Sequence, residues 1–270
     1  MRNTPLAIAG LLAVLGAAAA PAAAFTLQPH SAVYDVRLIR ASQSSRIEDA
    51  RGVVRIDWRE TCQNWAISQR FQLVMALADG NTSEAITEFT SVESKDARRY
   101  SFESSTVRDG RLVESWKGEV ARAGPDKPTT AIYQDPPGET VALAGGVVFP
   151  MQQMAALLAL AEKGGGQEDM AYFDGPRPLD SPFATHNVVS ERKRPATEGA
   201  RGVTAAPFDR PWWPMRLAFY ERSSQAAEPG FEIGAEILDN GVARLLLFDY
   251  GDFAISATAV AGELAERPRC

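Results

Sequence analysis

The sequence predicts a mainly β protein built on a long antiparallel sheet, with one short amphipathic helix near residues 150–163. Apolar residues alternate with a period of two along most of the chain, as in strands with one buried and one solvated face. Asp-Gly and Asn-Gly pairs separate several of these segments and supply the positive φ angles of tight hairpin turns. Because no strand–helix–strand rhythm recurs, we expect roughly a dozen strands in a meander rather than a parallel α/β fold.

The first 24 residues have the layout of a secretory signal peptide. Arg2 precedes an apolar run from Leu6 to Ala20, and Ala22-x-Ala24 follows as a cleavage site. The alternative, an N-terminal membrane anchor, is less favoured because the run is short and rich in alanine. We therefore expect cleavage after Ala24 and export of residues 25–270 out of the cytoplasm as a single β-rich domain.

Three early segments show the alternation most clearly. "AVYDVRLIR", "GVVRIDWRE" and "WAISQRFQLVM" each carry their apolar side chains on one face: Tyr34, Val36 and Leu38; Val54, Ile56 and Trp58; Trp65, Ile67, Phe71, Leu73 and Met75. Further along the chain, Asp109-Gly110, Asn240-Gly241 and Gly251 mark reversals between strands.

One segment, "PMQQMAALLALAEKGGG", departs from this pattern. Pro150 suits a first helical turn, and the glycines after Lys163 suit the exit. The apolar stripe of the predicted helix contains Met151, Met154, Ala155 and Leu158, widened by Leu157 and Leu160. Two interpretations remain open: the stripe is ordinary core packing on the concave face of a curled sheet, or Met151, Met154, Leu157 and Leu158 form a plug or lid over an apolar cavity.

Residues suited to catalysis or metal binding are scarce. The only histidines are His30 and His186, the latter expected in a loop, and neither has another histidine or cysteine nearby at ligand spacing. We predict no metal, no cofactor and no catalytic residue. Neighbouring acids such as Glu48 with Asp49, Glu168 with Asp169, and Asp249 with Asp252 are interpreted as turn residues, although acids from distant strands leave a hydrolase open.

Charge and hydropathy argue against two further classes of protein, those that bind nucleic acid and those that span a membrane. The formal net charge is −6, and the basic cluster at residues 191–201 is interpreted as a solvated loop, so no nucleic-acid partner is expected. Beyond the signal peptide, the longest apolar stretch, residues 141–161, contains glycines, a proline and glutamines. It is a poor membrane span.

An aromatic patch, "RPWWPMRLAFYE", precedes a predicted strand. Trp212 and Trp213 lie between two prolines, and neighbouring residues of an extended chain point to opposite sides. We expect one tryptophan to be buried and the other exposed. A structural anchor and an aromatic rim of a ligand or partner site are both open interpretations.

The chain contains two cysteines, Cys62 and Cys270, and Cys270 is its last residue. Two thiols in an exported protein usually pair, and the bond would close a loop worth about 5 kcal/mol in the chain-entropy picture. The alternatives are a free Cys270 or a bridge between two chains. We expect the intramolecular bond and a monomer.

Several of these features occur together in an order that resembles the EipB-like family of periplasmic cell-envelope integrity proteins. They are Cys62 after a Trp-bearing strand, "VVFPMQQMAALLALAEKGG", "YFDG" at residues 172–175, "FDYGDF" at residues 248–253, and Cys270. The resemblance implies about fourteen strands curled into an open barrel or β-spiral, similar in shape to periplasmic lipoprotein carriers. It also implies a disulfide between Cys62 and Cys270.

The sequence therefore leaves two functional hypotheses. The first is a non-enzymatic role in envelope integrity, through a lipid or other apolar ligand or an envelope partner protein bound in or around the curled sheet. The second is a hydrolase of envelope polymers that uses carboxylates from distant strands. The resemblance carries no established catalytic residues, so none are assigned.

Overall fold

The computed structural model describes residues 27–194, 208 and 210–270. The predicted signal peptide, residues 1–24, lies outside the described residues, as does part of the basic cluster. The elements are β1 (His30–Ala41), β2 (Ile47–Glu60), β3 (Asn64–Leu77), β4 (Thr82–Ser94), β5 (Arg99–Arg108), β6 (Arg111–Ala121), β7 (Thr129–Asp135), β8 (Thr140–Leu143), α1 (Pro150–Glu162), β9 (Gly166–Tyr172), β10 (Phe183–Val189), β11 (Trp212–Tyr220), β12 (Phe231–Leu238), β13 (Ala243–Asp249) and β14 (Phe253–Leu264).

All fourteen strands in the described part of the chain belong to one antiparallel sheet. The strand order is β8-β7-β6-β5-β4-β3-β2-β1-β14-β13-β12-β11-β10-β9, so β1 and β14 pair in the centre and β8 and β9 form the edges. This confirms the predicted mainly β, antiparallel architecture with one helix near residues 150–163. Asp109-Gly110 and Asn240-Gly241 lie between paired strands, as their turn chemistry predicts.

The sheet curls strongly. Phe71 on β3 and Phe248 on β13 have ring centroids 6.3 Å apart, although β2, β1 and β14 lie between their strands. Four inter-strand spacings in a flat sheet would separate these strands by about 19 Å. The two rings therefore meet across the concave side of a rolled sheet.

The two sheet edges approach each other without forming a continuous ladder. Between β8 and α1, the Val148 amide donates to the Ala171 carbonyl at 2.8 Å, and the Phe173 amide donates to the Val148 carbonyl at 3.0 Å. These bonds join the segment after β8 to the end of β9, while β8 and β9 themselves are unpaired with each other. The result is the predicted open, barrel-like spiral.

Helix α1 crosses one end of the rolled sheet. Because consecutive strands are antiparallel, the β2–β3, β4–β5 and β12–β13 turns share this end, which we call the helix end. The first turn of α1 is bonded to Glu93 near the end of β4, and Leu158 approaches Gly241 in the β12–β13 turn. The β1–β2, β3–β4 and β13–β14 turns lie at the opposite end, which we call the far end.

Three hydrophobic clusters fill the interior. The central cluster includes Tyr34, Val36 and Ile255. The helix cluster joins Leu157, Leu158 and Ala161 of α1 to β10, β11 and β12. The aromatic cluster contains Tyr100, Phe102, Tyr133, Phe149 and Phe173. Strands from both wings of the sheet contribute to this packing, which holds the curl.

Two local predictions were wrong. His186 lies on β10 rather than in a loop, and its Nδ1 is 2.6 Å from Asp169 Oδ1 on β9. Glu48 with Asp49 and Glu168 with Asp169 lie on strands rather than in turns. The alternation of β10 is real but partly polar, because Thr185 and Asn187 occupy buried positions between Phe183 and Val189.

Candidate functional site

Part of the concave surface is apolar but only half-buried. We call the following side chains the inner apolar face: Leu38, Phe71, Met75, Leu246, Phe248 and Phe253. Their register aligns them with buried core residues, such as Phe71 opposite Val54 and Phe248 opposite Ile255. They pack against the central cluster and keep part of their surface accessible. A concave, half-exposed apolar surface is the usual setting for an apolar ligand.

The predicted lid residues lie at the helix end. Met151, Leu157 and Leu158 are buried and Met154 is half-buried, with Leu157, Leu158 and Met154 in the helix cluster. Leu157 and Leu158 are each 1% exposed, so the helix is anchored in the core along this stripe.

The buried face of α1 differs in part from the predicted stripe. Ala155 is exposed and Gln153 is buried in its place. The Gln153 amide nitrogen lies 3.4 Å from Thr185 Oγ1 and 3.3 Å from Asn187 Oδ1 on β10. These hydrogen bonds compensate the burial of the polar side chain, which apolar periodicity does not register.

Glu93 holds the N-terminus of α1, a role that the sequence pattern did not indicate. Its Oε2 accepts from the Met151 amide at 2.8 Å, and its Oε1 accepts from the Gln152 amide at 3.1 Å. Two of the unpaired amides of the first helical turn are thereby satisfied. Burial raises the pKa of Glu93 to about 7, against the opposing effects of these hydrogen bonds and of Arg122.

Arg122 completes the same anchor. Its guanidinium donates to the carbonyls of Ala97 and Val147, each at 2.7 Å, and to Gln152 Oε1 at 2.9 Å. The guanidinium carbon lies 4.2 Å from the centre of the Phe149 ring. Burial lowers the pKa of Arg122, although Glu93 favours its charged form. The first turn of α1 is therefore tied to β4 and to the chain after β6.

The "YFDG" segment is held by two buried tyrosines. Tyr100 Oη donates to the Asp174 carbonyl at 2.8 Å, and Tyr133 Oη donates to the Gly175 carbonyl. Gly175 has φ 107°, and an added Cβ would overlap the Phe102 ring. Only glycine satisfies both conditions. Burial raises the pKa of Asp174 to about 6.

The two tryptophans lie at the helix end, where β11 begins. Trp213 is buried in the helix cluster. Trp212 is half-buried, with the Arg244 guanidinium carbon 4.0 Å from its ring centre. This difference agrees with opposite orientations of neighbouring residues in a strand. The expectation that one tryptophan is exposed was wrong, because Trp212 packs against the central cluster while Trp213 packs in the helix cluster. Neither tryptophan belongs to the inner apolar face. A structural anchor or an aromatic rim formed by these residues would therefore lie at the helix end.

Cys62 and Cys270 are joined by a disulfide at the helix end. Their Cα atoms are 5.6 Å apart, and Cys62 lies in the β2–β3 turn. Beside the bond, Glu60 accepts from Lys95 Nζ at 2.6 Å and from Arg267 Nε at 3.0 Å. Burial opposes ionisation of Glu60, but these hydrogen bonds outweigh it and its pKa is lowered. The segment after β14 is thus held by covalent and ionic contacts.

Two negative results concern the described part of the chain alone. Within residues 27–194, 208 and 210–270, no group of three or more histidine, cysteine, aspartate or glutamate residues is placed to hold a metal ion. Among the same residues, no helix has the length and apolarity that a membrane crossing requires.

Comparison with known proteins assigns the family. A family model described as EipB-like matches residues 21–264. The chain belongs to the EipB-like family. The chain is similar to the cell envelope integrity protein EipB of Brucella abortus (strain 2308), with 26% identity over 245 residues, 90% of this chain and 86% of that protein. Membership supports a role in cell-envelope integrity.

The fold agrees with a solved structure. A crystal structure from Brucella abortus, described as a β-barrel-like protein of domain of unknown function DUF1849, superposes with a TM-score of 0.79 at 25% identity. The match covers 90% of this chain and all of that one. In this EipB-like chain two of the motifs that suggested the family, "VVFPMQQMAALLALAEKGG" and "YFDG", meet in space, since the Phe149 and Phe173 rings lie 6.5 Å apart in the aromatic cluster.

Proposed function

We propose that this EipB-like protein is a periplasmic, non-enzymatic monomer that supports cell-envelope integrity by binding a lipid chain or a similar apolar ligand on its inner apolar face. Residues 25–270 act as one β-rich domain in this proposal. The observation that carries it is the half-buried apolar surface on the concave side, where Phe71 and Phe248 meet from opposite wings of the sheet. A ligand that covered these side chains would remove apolar surface from water.

Helix α1 has a supporting role in the proposal. Met151, Leu157 and Leu158 are buried at the helix end, and Glu93 and Arg122 fix the first turn. The helix therefore acts as a plug that closes the helix end, and the ligand reaches the inner apolar face from the far end. Trp212 and Trp213 then serve as structural anchors of β11 beside the plug.

The hydrolase alternative has weaker support. A glycosidase needs two carboxylates that face each other across a cleft with room for the substrate. Among the described residues, Glu93 and Asp174 are the acids whose pKa values are strongly raised, and Glu93 already accepts hydrogen bonds from two amides of α1. A partner-binding role without a ligand is the other alternative, and it shares the envelope function with our proposal.

Binding of diphenylhexatriene, an apolar dye that fluoresces when removed from water, tests the ligand-binding part. We expect saturable binding to the purified protein and clear weakening in Phe71→Ser, because this change removes an aromatic ring from the inner apolar face. Val74→Ser is the matched control: Val74 lies on the same strand, faces outward and is 41% exposed. It should bind the dye as the wild type does.

The same titration can also contradict the proposal. If the wild-type protein gives no saturable signal, or if both variants weaken binding equally, the inner apolar face is not the binding surface. A partner-binding role would then be favoured. Urea denaturation of both variants shows whether a loss of binding reflects a loss of folding.

A further inference from the structure

Trp116 places an unsatisfied hydrogen-bond donor on the inner side of β6. It lies directly opposite Ser104 of β5, which is buried, and its ring is half-buried. The Trp116 Nε1 atom is buried and has no acceptor among the described residues. A buried N–H without an acceptor is costly, so an acceptor brought by a ligand to this position on the inner side of β6 would be favourable.

Asp174 supplies an unsatisfied acceptor next to Gly175, the residue that Tyr133 contacts. The Trp116 and Tyr133 ring centroids are 6.3 Å apart in an edge arrangement, and Tyr133 Oη donates to the Gly175 carbonyl, next to Asp174. Asp174 Oδ1 is buried and has no donor among residues 27–194, 208 and 210–270. The only proton of the Tyr133 hydroxyl is already committed, so Tyr133 cannot satisfy Asp174.

The surface next to Trp116 combines hydroxyl groups with apolar side chains. Thr87 and Thr106 face each other with their Oγ1 atoms 3.1 Å apart, and Phe89 lies opposite Ser104. Phe71 of the inner apolar face, on β3, lies opposite Thr87 on β4. A polar patch therefore continues into the inner apolar face along the register of neighbouring strands.

We propose that Trp116 and Asp174 form a subsite for the neutral, hydroxyl-bearing head group of an amphiphile whose apolar chain lies on the inner apolar face. A hydroxyl-bearing head group offers an acceptor to Trp116 Nε1–H and a proton to Asp174 Oδ1, and so supplies the partner that each buried group lacks. A carboxylate head is disfavoured because it lacks a proton to donate and meets the negative charge of Asp174. This subsite rests on the proposed function and specifies its ligand class.

Displacement of bound diphenylhexatriene by three amphiphiles of equal chain length tests the subsite: a monoacylglycerol, a fatty acid and a fatty-acid methyl ester. We expect the wild type to bind the monoacylglycerol most tightly. Trp116→Phe keeps an aromatic ring but removes the N–H, so the affinity for the monoacylglycerol should fall by about threefold to tenfold, as for one lost hydrogen bond, while dye binding is retained.

Two comparisons make the result specific. Trp58→Phe is the matched control, since Trp58 also has a buried Nε1 without an acceptor among the described residues but lies on β2 beside His30. It should leave all three affinities unchanged. Asp174→Asn should narrow the preference for the monoacylglycerol over the fatty acid by removing the charge that disfavours a carboxylate.

The outcomes separate the two proposals. If the wild type binds the dye and the monoacylglycerol, but Trp116→Phe changes neither affinity or matches Trp58→Phe, the subsite is wrong and the proposed function stands. If the wild type binds the fatty acid as tightly as the monoacylglycerol, the assigned head-group class is wrong. If the wild type binds neither dye nor amphiphile, the ligand-binding function and the subsite both fail.

Discussion

Glu93 is a carboxylate whose position is fixed by the first turn of α1 and whose ionisation is opposed by its burial. It is 3% exposed and accepts two backbone hydrogen bonds from that turn. Its raised pKa, about 7 against an ordinary value of 4.5, means that the folded protein binds this proton more tightly than the unfolded chain does. Folding stability is therefore linked to pH through this residue.

We predict that Glu93 makes the protein less stable as the pH rises. Below about pH 4.5 the group is protonated in both states and carries no ionisation penalty. Between pH 5 and pH 8 the unfolded chain ionises more readily, so the wild type should lose about 2 kcal/mol of unfolding free energy relative to Glu93→Gln. Urea denaturation of both proteins across this pH range measures the difference. Parallel stability profiles would contradict the prediction.

Gly175 is a position where the surrounding structure admits only glycine. We predict that Gly175→Ala destabilises the protein by about 2–4 kcal/mol, because the new methyl group meets Phe102 in a positive-φ conformation. Gly138→Ala is the control, since Gly138 has φ +91° and no atom within 4 Å of an added Cβ. It should cost about 1 kcal/mol from backbone strain alone. Equal losses of unfolding free energy would show that Phe102 does not constrain the position.

At the scale of elements, the disulfide and the Glu60 cluster together hold the segment after β14. Arg267 and Lys95 both donate to Glu60, which is 5% exposed in its side chain. Gln28 Nε2 also donates to the Ala265 carbonyl at 2.6 Å. These contacts hold the segment that leads to Cys270 beside the β2–β3 turn, where the disulfide joins it to Cys62.

We predict that Cys62→Ser and Cys270→Ser destabilise the protein equally. Each removes the same loop closure, worth about 5 kcal/mol at most in the chain-entropy picture, so the double variant should be little worse than either. Urea denaturation under non-reducing conditions measures this, and wild type treated with reductant serves as the control. Losses that add in the double variant, or one free thiol per native chain, would contradict the bond as the source of the effect.

The elements themselves were largely predictable. The alternation in "WAISQRFQLVM" identified β3, Asn240-Gly241 identified the β12–β13 turn, and Pro150 identified the start of α1, because each signal acts within a few neighbouring residues. The buried side of α1 was less predictable. Gln153 is buried because Thr185 and Asn187 bond to it, and these partners are more than thirty residues away in sequence.

The same limit applies to the whole molecule. Strand alternation assigns Phe71 and Phe248 to the faces of their own strands, but it does not state how far the sheet curls or which side chains meet across it. Glu93, Arg122 and Trp116 carry no local signal either, because their roles arise from contacts with other elements. Asp174 lies in the "YFDG" motif, but the motif does not indicate that its carboxylate is buried without a donor among the described residues. The curled sheet was expected only from the family resemblance, and the residues that meet across it were identified only in the folded structure.

On the proposed function, the inner apolar face carries a ligand in the native envelope. Mass spectrometry of organic extracts, made from protein purified out of its native periplasm, tests it most directly. We predict one class of neutral amphiphile in near-stoichiometric amount with the wild type and with Val74→Ser, and its loss from Phe71→Ser. Wild-type protein that yields no co-purifying amphiphile, and takes up none when lipid is supplied, would contradict the claim.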